Sequence, residues 1–295
     1  MKKENEITAK RVFLFPSTYA LLILTIFPIC FSLAITFTNY RLLDSNALEY
    51  SFNNWTQLFS DKNFFIVLTN TIKFVFFGAI FQFSFGFLIA HLLNSNIRFK
   101  KFFRITYLLP MMMSPVAVSY IVGKMLFSET FGPINDLLSF LGLPLFNWSL
   151  SPFKSMFLLI VIDTWQWTPF FILILLAGLQ SIPEEIFEAA KIDGASSLKI
   201  FYHITFPLLL PISSTVIFIR IIESFKVIDI VRIVTGGGPG NTTESVTLFA
   251  YDIGLKGGDI SYASTIAYAM LIMVIIFSII YFAFEKHLKR MSGNE

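Results

Sequence analysis

The chain has 295 residues, of which 55% are hydrophobic and only 14% charged, and its formal net charge is +3. Soluble domains carry about 25% charged residues. With a mean hydropathy of +0.71, this composition excludes a water-soluble globular domain and a nucleic-acid-binding one, and describes a chain made for lipid.

A helix needs about 20 mostly apolar residues to cross a bilayer. Six segments reach that length, at roughly 12–37, 66–93, 103–127, 155–180, 204–231 and 262–284. They predict an all-α membrane protein with six transmembrane helices in a single domain, 1–295. A transmembrane β-barrel would alternate in segments of about ten residues, a pattern the sequence lacks.

The first span follows the basic start Met1-Lys2-Lys3. Its apolar run is too long for a secretory signal and has no small-x-small cleavage site, so it is expected to stay as an uncleaved helix. Cys30, the single cysteine, leaves no intramolecular disulfide and no thiolate metal site. Linker 38–65 is expected outside, with Trp55 and Phe64-Phe65 at the headgroup level. Linker 94–104 reads as a tight basic turn. Linker 128–154 is expected outside, with turn signals at Gly132-Pro133 and Gly142-Leu143-Pro144. Linker 232–261 is expected outside as well. The third and fifth spans contain Pro110 and Pro115, and Pro207 and Pro211, which a membrane helix tolerates where neighbours satisfy the freed carbonyls.

Lys2, Lys3, Lys10, Arg11, Arg98, Lys100, Lys101, Arg104, Lys191, Lys199, Lys286, Lys289 and Arg290 gather on one set of span ends. They are more than half of the 22 basic residues, and that side nets positive while the remainder nets negative. The positive-inside rule then makes both termini and the 181–203 connection cytoplasmic.

That connection is organised. Ser181-Ile182-Pro183-Glu184 has the spacing of a capping box with Pro in the first turn. Glu184, Glu185 and Glu188 suit the positive end of a helix dipole. Gly194 would end the helix, and a second short helical stretch is expected at about Ser197–His203. A helix lying on lipid would show a Lys/Arg-rich polar face; this acid-rich start points to protein docking instead.

Ionisable residues inside spans are costly and are functional candidates. Asp163-Thr164-Trp165-Gln166-Trp167 lies in the fourth span. Arg220, Glu223, Lys226 and Asp229, spaced by three in the fifth, are predicted to run down one gently turning face with alternating signs. Two readings stay open. One is an ion-pair ladder between helices. The other is a water-accessible cavity for a polar solute, to which Trp165 and Trp167 offer aromatic faces suited to sugar rings. His91, His203 and His287 are scattered and read as ordinary interface or loop residues. Thr235-Gly236-Gly237-Gly238-Pro239-Gly240 lacks the Gly-Lys-Ser/Thr ending of a phosphate loop, so it reads as an external turn.

Glu188-Ala189-Ala190, Gly194, Ile204 and Pro207 fall in the register of the "EAA" loop, so this segment resembles that of ATP-binding-cassette (ABC) importer permeases. Phe206 replaces the usual Leu before the Pro. The likeness to the maltose-type carbohydrate permeases extends along most of the chain. It includes Asn70-Thr71-Ile72-Lys73-Phe74, the pattern Phe103-Arg104, Tyr107, Pro110, and the lead Ala177-Gly178-Leu179-Gln180-Ser181-Ile182-Pro183. It continues through Phe225, Asp229, the Gly-Gly-Pro turn and Tyr262-Ala263. Gly123 departs from the Trp often found there.

The resemblance implies a type I ABC importer permease subunit for a sugar or oligosaccharide, performing no covalent chemistry. Its implied partners are membrane lipid, a homologous second permease, two ATP-binding subunits carrying ATP and Mg, and an extracellular solute-binding protein. No cofactor or metal is implied for this chain. In that reading Glu188, Ala189, Ala190, Asp193, Gly194, Ile204 and Pro207 couple to the ATPase. Asp163, Trp165, Trp167, Arg220, Glu223, Lys226 and Asp229 are candidates to line the substrate cavity. Gly236, Gly237, Gly238 and Pro239 form an external loop that meets the binding protein or gates the cavity. A glycerol-phosphate-type permease shares these motifs, and Arg220 and Lys226 would tolerate its anion. An ion-coupled secondary transporter working through Asp163 or Glu223 would not need the EAA loop. An intramembrane enzyme would need paired catalytic groups, for which Asp163 and Asp229 offer the only acidic pair.

Overall fold

A computed structural model describes residues 2–42, 48–95 and 98–291. The side chains of residues 2–13, 284 and 287–291 lie outside that description, and with them the charges of Lys2, Lys3, Lys10, Arg11, Lys289 and Arg290 and the ring of His287. Among the described residues the regular elements are helices, and one isolated bridge pairs Thr38 with Tyr50.

In chain order the helices are α1 (Lys2–Thr36), α2 (Asn53–Ser60), α3 (Lys62–Asn94), α4 (Lys100–Met112), α5 (Pro115–Val118) and α6 (Pro133–Phe140). They are followed by α7 (Pro152–Ser181), α8 (Glu184–Ile192), α9 (Ser197–Ile200), α10 (Phe206–Phe225), α11 (Val246–Tyr251) and α12 (Ile260–Met291). Wider π-helical turns extend α5 over Ser119–Leu126, join α9 to α10 over Phe201–Thr205, and occupy Val231–Thr235 and Asp252–Lys256.

Five stretches are long and apolar enough to cross a membrane: Leu14–Thr36, Lys62–Asn94, Pro152–Ser181, Ser197–Phe225 and Ile260–Ala283. The third expected span, 103–127, is broken. Lys100–Met112 and Pro115–Leu126 meet at 97°, and taken as one bent pair they are long and apolar enough for a sixth crossing. The local chemistry accounts for the bend. A residue before proline is pushed to extended backbone, and Met113 and Ser114 both have ψ 146. Ser114 then caps the new helix, its hydroxyl accepting from the Ala117 N–H at 3.2 Å.

The fifth span is also displaced. It was expected over 204–231 but runs over Ser197–Phe225, so the short helical stretch foreseen at Ser197–His203 is its first turns. Ser196 caps it by accepting from the Lys199 N–H at 3.4 Å. Pro207 has no N–H for the carbonyl four residues earlier, and the helix widens into its π-helical turn just before that proline. The linkers predicted as loops contain α2, α6 and α11.

The chain divides into two compact units. One comprises Met1–Phe64 and Ala250–Ile275, where Asn54 donates to the Thr36 and Thr38 carbonyls and the Tyr262 hydroxyl donates to Asp61 at 2.6 Å. The apolar stretch of α1 buries none of its hydrophobic window within the chain.

The other unit comprises Phe65–Phe249 and Ile276–Glu295. Its core is a three-helix contact in which Ala90 and Leu93 of α3 and Leu209 and Val216 of α10 meet Phe171, Leu175 and Leu179 of α7. Small residues permit that approach, as is usual between membrane helices. A Cβ on Gly86 would lie 2.4 Å from the Phe171 Cβ, and one on Gly178 would lie 2.9 Å from Ile212.

Candidate functional site

The α3–α7–α10 contact carries a polar centre in its midst. The Arg220 guanidinium on α10 donates from Nη2 to Asp163 Oδ2 on α7 at 2.5 Å and from Nε to Gln82 Oε1 on α3 at 2.8 Å. Gln82 completes the triangle, donating to Asp163 Oδ2 at 2.7 Å. All three are buried. Charges so removed from water must be paired and hydrogen-bonded, and here both conditions are met. The guanidinium also lies 4.5 Å from the Trp167 ring centre, a cation–π contact that strengthens when desolvated.

A polar cavity of about 180 Å³ opens beside this triangle, lined by Asp163, Gln166, Trp167, Arg220, Glu223, Lys226 and Asp229 among others. Two interrupted helices border it. Pro115 starts the segment after the α4 bend, and Val227 and Ile228 are the irregular residues beyond α10. Backbone of that kind is tolerated at membrane depth only where protein or a water-filled cavity satisfies it. Here Ser245 Oγ donates to the Val227 carbonyl at 2.7 Å, Thr247 Oγ1 to the Phe225 carbonyl at 3.3 Å, and Gln166 Nε2 to the Met113 carbonyl at 3.2 Å. Gln166 Oε1 is buried without a partner.

The structure brings six of the seven predicted cavity residues together and separates Trp165. Its ring lies on the other side of α7, in an apolar cavity of about 740 Å³ lined also by Thr164, Thr168, Phe81, Phe85 and Tyr107. The predicted single-face ladder is corrected too. α10 ends at Phe225, Lys226 caps it, and Asp229 opens the next helical stretch after Val227 and Ile228. Arg220 pairs across to α7, while Glu223 pairs with Lys226 at 2.8 Å in an exposed bridge that adds little stability.

The Gly-Gly-Pro turn is wired into the fold. Gly236 and Gly237 take φ of 61° and 89°, and Gly238–Pro239 is a cis peptide. Thr243 Oγ1 donates to the Gly238 carbonyl at 2.7 Å, Asn70 Nδ2 to the Asn241 carbonyl at 2.7 Å, and the Val246 N–H to Thr71 Oγ1 at 3.0 Å. Gly123 meets the same region, since a Cβ there would stand 2.4 Å from a Val234 methyl.

At the 181–203 connection, α8 forms as predicted, but the capping box does not. Ser181 is the last residue of α7 and its hydroxyl turns back to the Gly178 carbonyl at 2.8 Å, because helix continues through the position the box needs as a cap. Pro183 precedes α8 without a side-chain cap. The C-terminal end closes as expected. Gly194 has φ 73°, its N–H donates to the Lys191 carbonyl at 3.0 Å, and the Ala195 N–H reaches the Ala190 carbonyl at 2.9 Å, a Schellman motif. No residue of α8 is buried. Glu188, Ala189, Asp193, Gly194 and Pro207 are exposed, and Ala190 and Ile204 are half-buried. Glu184, Phe187, Glu188 and Lys191 border a polar cavity of about 480 Å³ with Asn94 and Lys100. His91 packs against Phe201 at 6.2 Å, and His203 Nδ1 lies 3.1 Å from the Lys199 carbonyl. Among the described residues no His, Cys, Asp and Glu cluster could hold a metal ion.

Residues 82–291 match the family described as binding-protein-dependent transport system inner membrane component. The chain belongs to this family. It is 34% identical to the trehalose/maltose transport system permease protein MalF of Thermococcus litoralis over 77% of either chain. It is 30% identical to the arabinooligosaccharides transport system permease protein AraP of Bacillus subtilis, over 92% of this chain and 87% of that one. A chain from the crystal structure of a bacterial alginate ABC transporter, in complex with alginate pentasaccharide-bound periplasmic protein, shares the fold. Its TM-score is 0.84 at 21% identity, covering 98% of this chain and 96% of that chain. As an inner membrane component of this family, the chain is a multi-pass translocation subunit of an ABC transport system.

Sequence reasoning missed Gln82 and gave Gln166 no role. Gln82 was visible as an amide in a run, Phe74–Ala90, that is otherwise polar only at Ser84.

Proposed function

We propose that this permease carries a neutral sugar or oligosaccharide, delivered by an extracellular solute-binding protein. The observation that carries this is the polar cavity beside Trp167, in a chain whose relatives named above are sugar permeases. Among the described residues both cations of that cavity are answered by carboxylates, Arg220 by Asp163 and Lys226 by Glu223, while Asp229 adds a further negative group. This supports an uncharged cargo over a glycerol phosphate.

A volume of about 180 Å³ falls below the range of about 300–1,000 Å³ usual for ligand sites. The single permease domain is accordingly read as one half of a pathway that a homologous second permease completes. In this reading both termini and α8 are cytoplasmic. The exposed faces of Glu188, Ala189 and Asp193 dock on one of two ATPase subunits, which hold ATP and Mg. Ile204 and Pro207 carry the motif into the first turns of the fifth span, and Gly236, Gly237, Gly238 and Pro239 lie on the side of the binding protein. The test is uptake by the reconstituted complex of labelled maltose-type oligosaccharides and of glycerol phosphate. Uptake of the sugars alone is expected, and glycerol phosphate as the preferred cargo would overturn the reading.

A further inference from the structure

The segment between the third and fourth crossings is folded inside out for a water-exposed loop. Several of its polar groups turn inward and satisfy one another. Glu129 accepts from the Ser149 N–H at 2.8 Å and from the Ser149 hydroxyl at 2.7 Å, Asn135 Oδ1 accepts from the Phe146 N–H at 2.8 Å, and Trp148 Nε1 donates to the Phe127 carbonyl at 2.8 Å. Gly142, with φ 68°, ends α6, and the Leu143 N–H returns to the Leu138 carbonyl at 2.8 Å. A rigid hairpin results. Its outer surface carries Leu137, Phe140, Leu141, Leu143, Leu150 and Phe153, with Phe140 87% and Leu150 84% exposed, interleaved with exposed Asp136, Ser139 and Asn147.

We propose that this hairpin is a membrane-interface anchor, with α6 lying in the plane of the bilayer surface and its apolar edge in lipid. Three observations favour lipid over a protein partner. Both ends of the segment continue directly into crossings, at Leu126 and at Pro152, so it sits at the bilayer boundary. Phe153 and Phe157 carry the exposed apolar surface onto the first turns of α7, continuous with its lipid-facing side. On α6 the helical period groups Leu137, Phe140 and Leu141, with Ser139 turned away from them and Asp136 at their edge, one turn before Phe140. Lys124 and Lys154 flank the hairpin, their ammonium groups 5.7 Å from the Trp148 ring centre and 5.9 Å from that of Phe146, so basic groups stand beside the apolar edge where headgroups would lie. The outer leaflet follows from the proposed topology; the anchor itself does not depend on it.

The test is spin-label depth measurement on the reconstituted full complex in zwitterionic vesicles, in a Cys30→Ser background. Labels replace Phe140, Leu150 and Ser139 in turn through Phe140→Cys, Leu150→Cys and Ser139→Cys. Positions 140 and 150 are expected to be several-fold more accessible to oxygen than to a water-soluble nickel chelate, at depths of about 5–10 Å, and position 139 to show the reverse. Chelate access at 140 and 150 that is lost on adding the loaded binding protein would overturn the proposal in favour of a docking surface. Inaccessibility to both reagents would overturn it in favour of contact with the second permease.

Discussion

Arg220 and Asp163 form an ion pair at 2.5 Å with each side chain only 3% exposed. Gln82 bonds to both members, so three helices share one neutral polar unit. Breaking such a pair from one side leaves a buried charge without compensation, at a cost of about 3–5 kcal/mol. Arg220→Met should therefore lower the unfolding midpoint of the purified permease in detergent much more than the double variant Arg220→Met with Asp163→Leu. Equal losses would mean that the charges are solvated and the pair is not a buried unit.

The two tryptophans of α7 should separate in function. Trp167 borders the polar cavity and Trp165 the apolar one. Trp167→Ala and Glu223→Ala are expected to cut uptake by the assembled complex by an order of magnitude or more in rate, a change of about 1.4 kcal/mol in the barrier, while Trp165→Ala stays close to wild type. Equal impairment by both tryptophan variants would contradict the assignment of the cavity.

Gly194 has open space around a would-be Cβ, with nothing within 4 Å, but its φ is 73°. Gly194→Val therefore acts through the backbone, by about 1 kcal/mol or more, at the end of a helix that touches little of its own chain. Gly194→Val and Glu188→Lys should leave the permease in the membrane and lower ATP turnover stimulated by loaded binding protein. Wild-type stimulation in both would remove α8 as the coupling element.

Orientation is open to cysteine labelling in intact cells after Cys30→Ser. Ser51→Cys and Asn241→Cys should react with an impermeant reagent from outside, and Ser197→Cys only after permeabilisation. Thr243, in the same linker as Asn241, is 2% exposed and would not report. External labelling at position 197 would invert the topology.

The apolar stretches were legible because bilayer thickness sets a length that composition alone can meet. The end of α8 was legible because Gly194 leaves few alternatives. The breaks in the third and fifth spans were harder to see. Pro110 and Pro115 marked a disturbance, but not the 97° angle nor that Gln166 of another helix takes the Met113 carbonyl it frees. No proline stands at the end of α10; its carbonyls are taken by Ser245 and Thr247, distant in sequence. The charge ladder looked self-contained because signs alternated every three residues, while the partner that neutralises Arg220 lies on another helix. Ser181 matched a capping spacing that α7 overran by continuing through it.

Polar and apolar cavities lie back to back across α7, with Asp163, Gln166 and Trp167 turned to one and Thr164, Trp165 and Thr168 to the other. Neighbouring positions on this helix thus answer to different solvents. Under the proposed function, substitutions at 166 and 167 reach the cargo side without altering what the opposite side presents to its surroundings. A screen for altered specificity that randomised 163–168 as one block would spend half its diversity on the wrong face.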